Sequence, residues 1–357
     1  MAATEQQHLL LDRETIAALD PSRQLDDVLA QPDHLRDALW KAESANLGAW
    51  ASPDGLIVAG MGGSGIGGRL ARAILADHAS RPVLSANAYG LPSWTTPETT
   101  VLCASYSGET EETLACFEAA GVIGSRRVVA TTGGRLAELA RAEGVPVIPL
   151  AGGMQPRAAV AYVTVAALEV AAACGIGPRL GPEIDVASGH LADLAAAWGP
   201  DAPEDSEAKA LARALHGTVP VIMGAGLTAP IAYRWKTQFN ENAKRPAFAS
   251  ELPEADHNEI VGWTTSDTFA RFSAVFLGDT DATPRVAQRV ALTRELLSAR
   301  AAGTHLVATR GVTSVERVFS LLLLGDLVSV YSAILGGHDP RSIAAIDELK
   351  SRLVADA

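Results

Sequence analysis

The chain has 357 residues, room for about two domains, with 48% hydrophobic residues, 5% aromatic ones and a formal net charge of −12. That acidic balance, with no basic run, argues against nucleic acid and anionic membrane as partners. An anionic substrate still fits, because a local nest of N–H groups and one arginine can outweigh the global field.

In chain order, residues 14–50 read as amphipathic helices with turns at Asp20-Pro21 and near Gln31-Pro32. A strand over 56–59 leads into a glycine-rich loop, Gly60-Met61-Gly62-Gly63-Ser64-Gly65-Ile66-Gly67-Gly68, and then a helix over 68–78. Strands follow over 82–85 and 101–104, then the loop Ser105-Tyr106-Ser107-Gly108-Glu109-Thr110 and a helix over 110–121. Two more strands, 127–131 and 145–149, flank a helix over 135–143, and an alanine-rich helix over 157–173 closes the unit. Short apolar runs separated by helices predict a parallel sheet.

Residues 175–205 carry Gly, Pro and acidic residues and a short helix over 187–197, and read as a connection. The pattern then restarts with a strand over 219–223, a turn over 224–227 and a helix over 229–238. The chain is therefore expected to repeat one α/β unit in tandem. The second copy lacks the serine-rich loop. The most apolar stretch, 318–337, holds Asp326 among Ser320, Ser329 and Ser332, which favours a buried helix over a membrane span. The three cysteines, Cys103, Cys116 and Cys174, lack CxxC spacing, and the polar N-terminus is unlike a signal peptide. Together they predict a reducing, cytoplasmic setting.

The two loops read as one pocket for a phosphate monoester. Each lies between a strand and a helix N-terminus, where unpaired N–H groups and the helix dipole suit an anion. Gly63 permits close backbone approach, and Ser64, Ser105, Ser107 and Thr110 add neutral donors. Gly60, Gly62 and Gly65 satisfy G-x-G-x-x-G, a weak sign of dinucleotide binding. The strand that should end in a ribose-binding acid ends Leu84-Ser85-Ala86-Asn87 instead. Arg69-Leu70 replaces the Lys and Ser/Thr of a P-loop, and Ile66 spoils a nucleophile elbow at Ser64. The plainer alternative is a glycine turn that only permits strand–helix packing. The second loop argues against it.

A further concentration of chemistry lies at Asn240-Glu241-Asn242 and at Glu251-Leu252-Pro253-Glu254-Ala255-Asp256-His257-Asn258-Glu259, read as polar loops. His257 and Glu259 match half of a zinc deaminase signature whose P-C-x-x-C partner is absent. No His/Cys cluster has zinc spacing. Taken singly, Glu241 reads as a solvated or capping carboxylate and His257 as a packed imidazole.

Taken together, these motifs resemble the bifunctional phosphoglucose/phosphomannose isomerases, built from two sugar-isomerase (SIS) domains. The resemblance rests on Gly62-Gly63-Ser64, the serine loop, Gln155-Pro156-Arg157, Asn240-Glu241-Asn242, Asp256-His257-Asn258-Glu259 and the tail from Asp339-Pro340 to Leu349-Lys350. It runs from about residue 45 to the end. It implies an α/β fold of two tandem, doubly wound parallel-sheet units. These would be a helical segment (1–44), a first SIS domain with the phosphate site (45–175), a connection (176–205) and a second SIS domain with the catalytic loop and C-terminal helix (206–357).

The implied activity is reversible isomerisation of glucose 6-phosphate, mannose 6-phosphate or both to fructose 6-phosphate through a cis-enediol, without metal or cofactor, in a homodimer. By resemblance, Gly63, Ser64, Ser105, Ser107 and Thr110 hold phosphate and Arg157 steadies the intermediate. Glu241 is the base, and His257 and Lys350 serve ring opening. One departure stands out. The family's hydroxyl residue before the terminal lysine falls here near Ile343, with Ser342 beside it, so the two aldoses need not be handled equally. Two rivals remain: a sugar-phosphate sensor without turnover, in which Glu241 and His257 would be idle, and a nicotinamide oxidoreductase, which the missing ribose acid disfavours.

Overall fold

A computed structural model describes residues 10–355; the first nine residues and the last two lie outside it. Three N-terminal helices, α1 (Arg13–Leu19), α2 (Gln24–Leu29) and α3 (Gln31–Ser44), precede the first sheet. That sheet comprises β1 (Leu56–Ala59), β2 (Val83–Ala86), β3 (Thr100–Ala104), β4 (Arg126–Thr131) and β5 (Val147–Pro149), in the spatial order β2-β1-β3-β4-β5. Its pairings are all parallel. Strands β1 and β3 are fully buried, as apolar runs covered on both faces should be. Helices α4 (Gly62–Ile74), α5 (Glu111–Ile123), α6 (Gly134–Ala142) and α7 (Val160–Ala173) connect or cover them.

After α8 (Gly181–Trp198) and α9 (Glu207–Leu215) comes a second parallel sheet: β6 (Val219–Ala225), β7 (Phe248–Leu252), β8 (Phe272–Gly278) and β9 (Gly303–Ala308), ordered β7-β6-β8-β9. This repeats the order of the first four strands, so the expected tandem α/β plan is present. Helices α10 (Ala229–Glu241), α11 (Glu259–Trp263) and α12 (Pro284–Leu297) belong to this sheet. The chain then runs through α13 (Ser314–Leu335) and α14 (Ala344–Ala355).

Helix α13 joins the two halves. All of its residues after Ser314 are buried, and it packs against α8, α9 and α10. Thr313 Oγ1 accepts from Glu316 N (3.1 Å) while the Glu316 carboxylate accepts from Thr313 N (2.9 Å), a reciprocal cap that fixes the start of the helix. The largest apolar cluster includes α13 and reaches residues of both sheets, among them Leu102, Val128, Ile222 and Val275. The apolar stretch at 318–337 is thus a core helix, and α7, the other helix apolar enough to raise a membrane question, is also largely buried. All three cysteines are buried and free.

Several elements differ from the sequence reading. Helix α4 starts at Gly62, six residues before the expected 68, so most of the glycine run is itself helical. Glycine disfavours helix, but packing overrides it here. A Cβ on Gly63 would lie 2.8 Å from Arg157 N and from the Pro156 carbonyl, so only a bare backbone lets α4 meet that segment. The expected helix over 157–173 is divided into a 3₁₀ turn, Pro156–Ala159, and α7. The expected connection contains a helix of 18 residues rather than a short one. It starts with Pro in its first turn, which suits a helix N-terminus, and packs on α3 and α13. Finally, α10 runs on to Glu241, so that carboxylate ends a helix and does not sit in a loop.

Candidate active site

In a sheet ordered 2-1-3-4-5, connections leave β1 and β3 in opposite directions and open a crevice at their carboxyl ends, where ligands bind in such folds. Ala59 pairs with Cys103 at that edge, so the chain enters both loops side by side. Neither Met61 before α4 nor Thr110 before α5 makes a side-chain cap to its helix, which leaves first-turn N–H groups of both helices open to an anion.

The hydroxyls named from sequence lie on the two loops at this edge, and two of them meet. Ser64 Oγ accepts from Tyr106 N (3.0 Å), which ties the glycine run to the serine loop. Ser105 Oγ lies 2.9 Å from Thr110 Oγ1 and accepts from Gly108 N (3.1 Å), and Ser107 Oγ accepts from Glu109 N (3.2 Å). Ser107 is exposed, while Ser64 and Ser105 are buried. The turn depends on Gly108, whose φ is +75° and whose added Cβ would strike Gly133 O at 1.9 Å. Asn87, standing where a ribose-binding acid would end β2, donates to Gly60 O (2.6 Å) and accepts from Arg69 (3.1 Å). It braces the glycine turn. In the second copy, β8 is followed by Asp279-Thr280-Asp281, with Arg317 paired to both aspartates, a poor setting for phosphate.

From the cradle, contact passes through Gly63 to Pro156-Arg157, and from Arg157 across to the second unit. Arg157 is 2% exposed. Its Nε donates to Asn242 Oδ1 (2.7 Å), Nη1 to Glu241 Oε2 (3.3 Å) and to Gln155 Oε1 (3.4 Å), and Nη2 to the carbonyls of Pro340 (2.9 Å) and Arg341 (3.2 Å). Burial lowers the guanidinium pKa from its ordinary value and Glu241 opposes that shift. Arginine nevertheless stays charged. The Glu241 side chain is partly exposed, and its Oε1 makes no hydrogen bond among the described residues, so one carboxylate oxygen is held and the other is free.

Two buried partners brace this pair. Asn242 Nδ2 donates to Ser329 Oγ (2.8 Å) on α13, and Arg234 donates to Arg157 O (2.9 Å) and to Asp326 (2.7 Å). Beside Gln155 lies a cavity of about 310 Å³ lined by Ser22, Asp339, Arg341, Ser342, Ile343 and Asp347 among others. Ser342 therefore lines a space whose wall also includes Gln155 and Arg341, both hydrogen-bonded to Arg157. The arrangement joins the two hydroxyl-bearing loops, a buried guanidinium and a half-free carboxylate through neighbouring segments.

Two expected residues are not gathered in. His257 sits on the 3₁₀ turn Glu254–His257 after β7; it is exposed and has no side-chain hydrogen bond among the described residues. Its neighbour Asp256 is engaged elsewhere, by Arg289 (3.1 Å) and Thr293 (2.7 Å). Lys350 is exposed on α14, a helix with Leu349 and Leu353 also in solvent. Conversely, the sequence reading passed over Lys244, which donates to the carbonyls of Glu241 (2.6 Å), Asn242 (3.2 Å) and Pro340 (3.2 Å). Its position three residues after the carboxylate was the available signal.

Comparison with known proteins adds to this geometry. Residues 204–353 match the family model of the bacterial phospho-glucose isomerase C-terminal SIS domain. A bifunctional phosphoglucose/phosphomannose isomerase of Caldicellulosiruptor bescii is 37% identical over 303 residues, covering 84% of this chain and 89% of that one. A D-glucosamine-6-phosphate 4-epimerase of Sulfolobus acidocaldarius is 35% identical over 165 residues, only 46% of this chain and 50% of its own. Among solved structures, a hypothetical protein of Thermus thermophilus superposes with a TM-score of 0.72 at 16% identity, covering 99% of this chain and 94% of that one, a likeness of fold.

Proposed function

The chain belongs to the bifunctional phosphoglucose/phosphomannose isomerase family, and from that premise we propose that it interconverts glucose 6-phosphate and mannose 6-phosphate with fructose 6-phosphate at the Arg157–Glu241 site. The observation that carries the reading is the buried Arg157 holding one oxygen of Glu241 at 3.3 Å beside a hydroxyl-rich anion cradle.

In this mechanism the phosphate sits on the open N–H groups of α4 and α5 with Gly63, Ser64, Ser105, Ser107 and Thr110. Binding energy so gained, remote from the reacting carbons, is available for positioning them. Once the ring is open, Glu241 takes the proton from C2 of the aldose while O1 gains one, giving the cis-enediol. The carboxyl group then returns a proton to C1 as O2 loses its own, and the ketose results with no net change in atoms. Arg157 stabilises negative charge on the enediolate oxygens. A positioned base contributes on the order of a hundred- to ten-thousand-fold.

His257 and Lys350 are assigned to ring opening. The same reading takes the active protein to be a homodimer; His257, exposed and without a side-chain hydrogen bond among the described residues, is free in it to serve the site of a partner protomer. The cytoplasmic setting and the division into 45–175 and 206–357 belong to the same reading. A sensor without turnover is disfavoured by the Arg157–Glu241 pair, and a nicotinamide enzyme by Asn87, which is occupied with Gly60.

A coupled assay for fructose 6-phosphate from each aldose phosphate, run after exhaustive chelation, tests this. Full activity with the chelator is expected, since the carboxylate and the arginine supply the chemistry. Loss of activity restored by zinc would overturn the metal-free mechanism. A product epimerised at C4 instead would overturn the isomerase reading.

A further inference from the structure

We propose that Lys244 is a positioning residue: its ammonium group locks the carboxylate-bearing end of α10 to the turn at Asp339-Pro340-Arg341, and turnover depends on that lock. The inference rests on the isomerase reading given above.

Three observations carry it. First, all three partners of Nζ are backbone carbonyls: Glu241 O and Asn242 O at the C-terminus of α10, and Pro340 O across the cleft. The first two are carbonyls that a helix end leaves without intrahelical donors, and a cation there also complements the helix dipole. Second, Pro340 O is shared, because Arg157 Nη2 donates to it as well, at 2.9 Å. Lys244 and Arg157 therefore grip the same turn, while Lys244 also holds the Glu241 carbonyl and Arg157 its carboxylate. Third, Lys244 has a φ of +53°, in the left-handed region where glycine or asparagine is usual after a helix. A lysine accepts that backbone cost here where its side chain has work that glycine cannot do.

The charged groups facing Nζ come from three elements: Arg157 on the 3₁₀ turn, Glu241 on α10 and Asp339 on the tail. Burial, with Arg157 adding to it, pushes the Lys244 pKa down to about 8, while Asp339 and Glu241 act the other way. Below that pH the ammonium group offers three charge-assisted donors; above it, a neutral amine offers two weaker ones. The backbone of Glu241 then loses its anchor, and with it the 3.3 Å placement of the carboxylate against Arg157.

The test is the pH dependence of kcat and KM for isomerisation between pH 6 and 10 in wild type, Lys244→Arg and Lys244→Met. Thermal unfolding at each pH confines the comparison to folded protein. In the wild type, kcat should fall above a limb near pH 8 and level off at no less than about a tenth of its plateau value, the level of a side chain with no ammonium group. Lys244→Arg keeps a cation throughout the range and should move that limb up by a unit or more. Lys244→Met should lower kcat about tenfold at every pH, change KM less, and lose the limb. A limb that stays in place in Lys244→Arg overturns the inference, even if Lys244→Met does not fold. So does a Lys244→Met enzyme with wild-type kcat. Wild-type protein without isomerase activity at any pH overturns the functional reading itself, and this inference with it.

Discussion

At the scale of single residues, the hydroxyl cradle gives a sharp expectation. Ser107 is exposed and binds only the neighbouring Glu109 N, so it contributes little to packing. A hydrogen bond to a charged group is worth about 1.5–3 kcal/mol. Ser107→Ala should therefore raise KM for hexose phosphates by roughly tenfold or more with thermal stability nearly unchanged. Affinity measured by calorimetry that equals the wild type would remove the phosphate from these loops. The proposed cradle could be read from the sequence because its hydroxyls lie in two short segments, each between an apolar strand and a helix. Arg157 and Glu241 were legible only as parts of motifs, since their 84 residues of separation carry no periodic signal. Asn242 and Lys244 had no assigned role. What they do depends on Ser329 and Pro340, side chains and carbonyls that only the fold brings within reach.

At the scale of elements, strands were read more faithfully than helix ends. The run over 56–59 matches β1 residue for residue, and the other strands of the first sheet shift by one or two positions. Buried parallel strands are short apolar blocks with sharp borders, whereas helix borders depend on what packs beside them. The glycine run shows this best. The sequence reading starts the helix at Gly68, whereas it begins at Gly62, where Gly63 packs closely on Pro156 and Arg157. The difference bears on the proposed phosphate site, because it brings the first N–H groups of α4 to the end of β1, beside the loop that carries Ser105. The extension of α10 to Glu241 has the same character. Glu241, the proposed base, ends a helix and its carbonyl accepts from Lys244, so its backbone is held on both sides.

At the scale of the whole molecule, the site belongs to neither unit alone. The cradle and Arg157 come from the first, Glu241 and Asn242 from the second, and the Pro340-Arg341 carbonyls from the tail. Arg341 in turn donates to Ser22 O (2.9 Å) of the N-terminal segment. The tandem repeat was visible in the sequence. That its two halves share one core around α13 was not, because a uniformly apolar helix says nothing about which partners cover it. The proposed homodimer would extend the site beyond one chain. On that proposal, Glu241→Gln and His257→Ala protomers, each impaired alone, should regain about a quarter of wild-type activity when refolded together, as half the dimers would be mixed and each mixed dimer would have one intact site. No recovery would contradict donation of His257 by the partner subunit.

The central claim is that Glu241 carries the proton between C1 and C2. Its most direct test is entry of solvent deuterium at C2 of the aldose phosphate, followed by NMR in wild type and Glu241→Gln, with substrate binding measured alongside. The glutamine keeps the shape and an acceptor for Arg157 but cannot take the proton. Exchange should drop on the order of a hundredfold or more with only a modest change in binding. Exchange at the wild-type rate in Glu241→Gln would contradict the assignment of the base, whatever name the enzyme then bears.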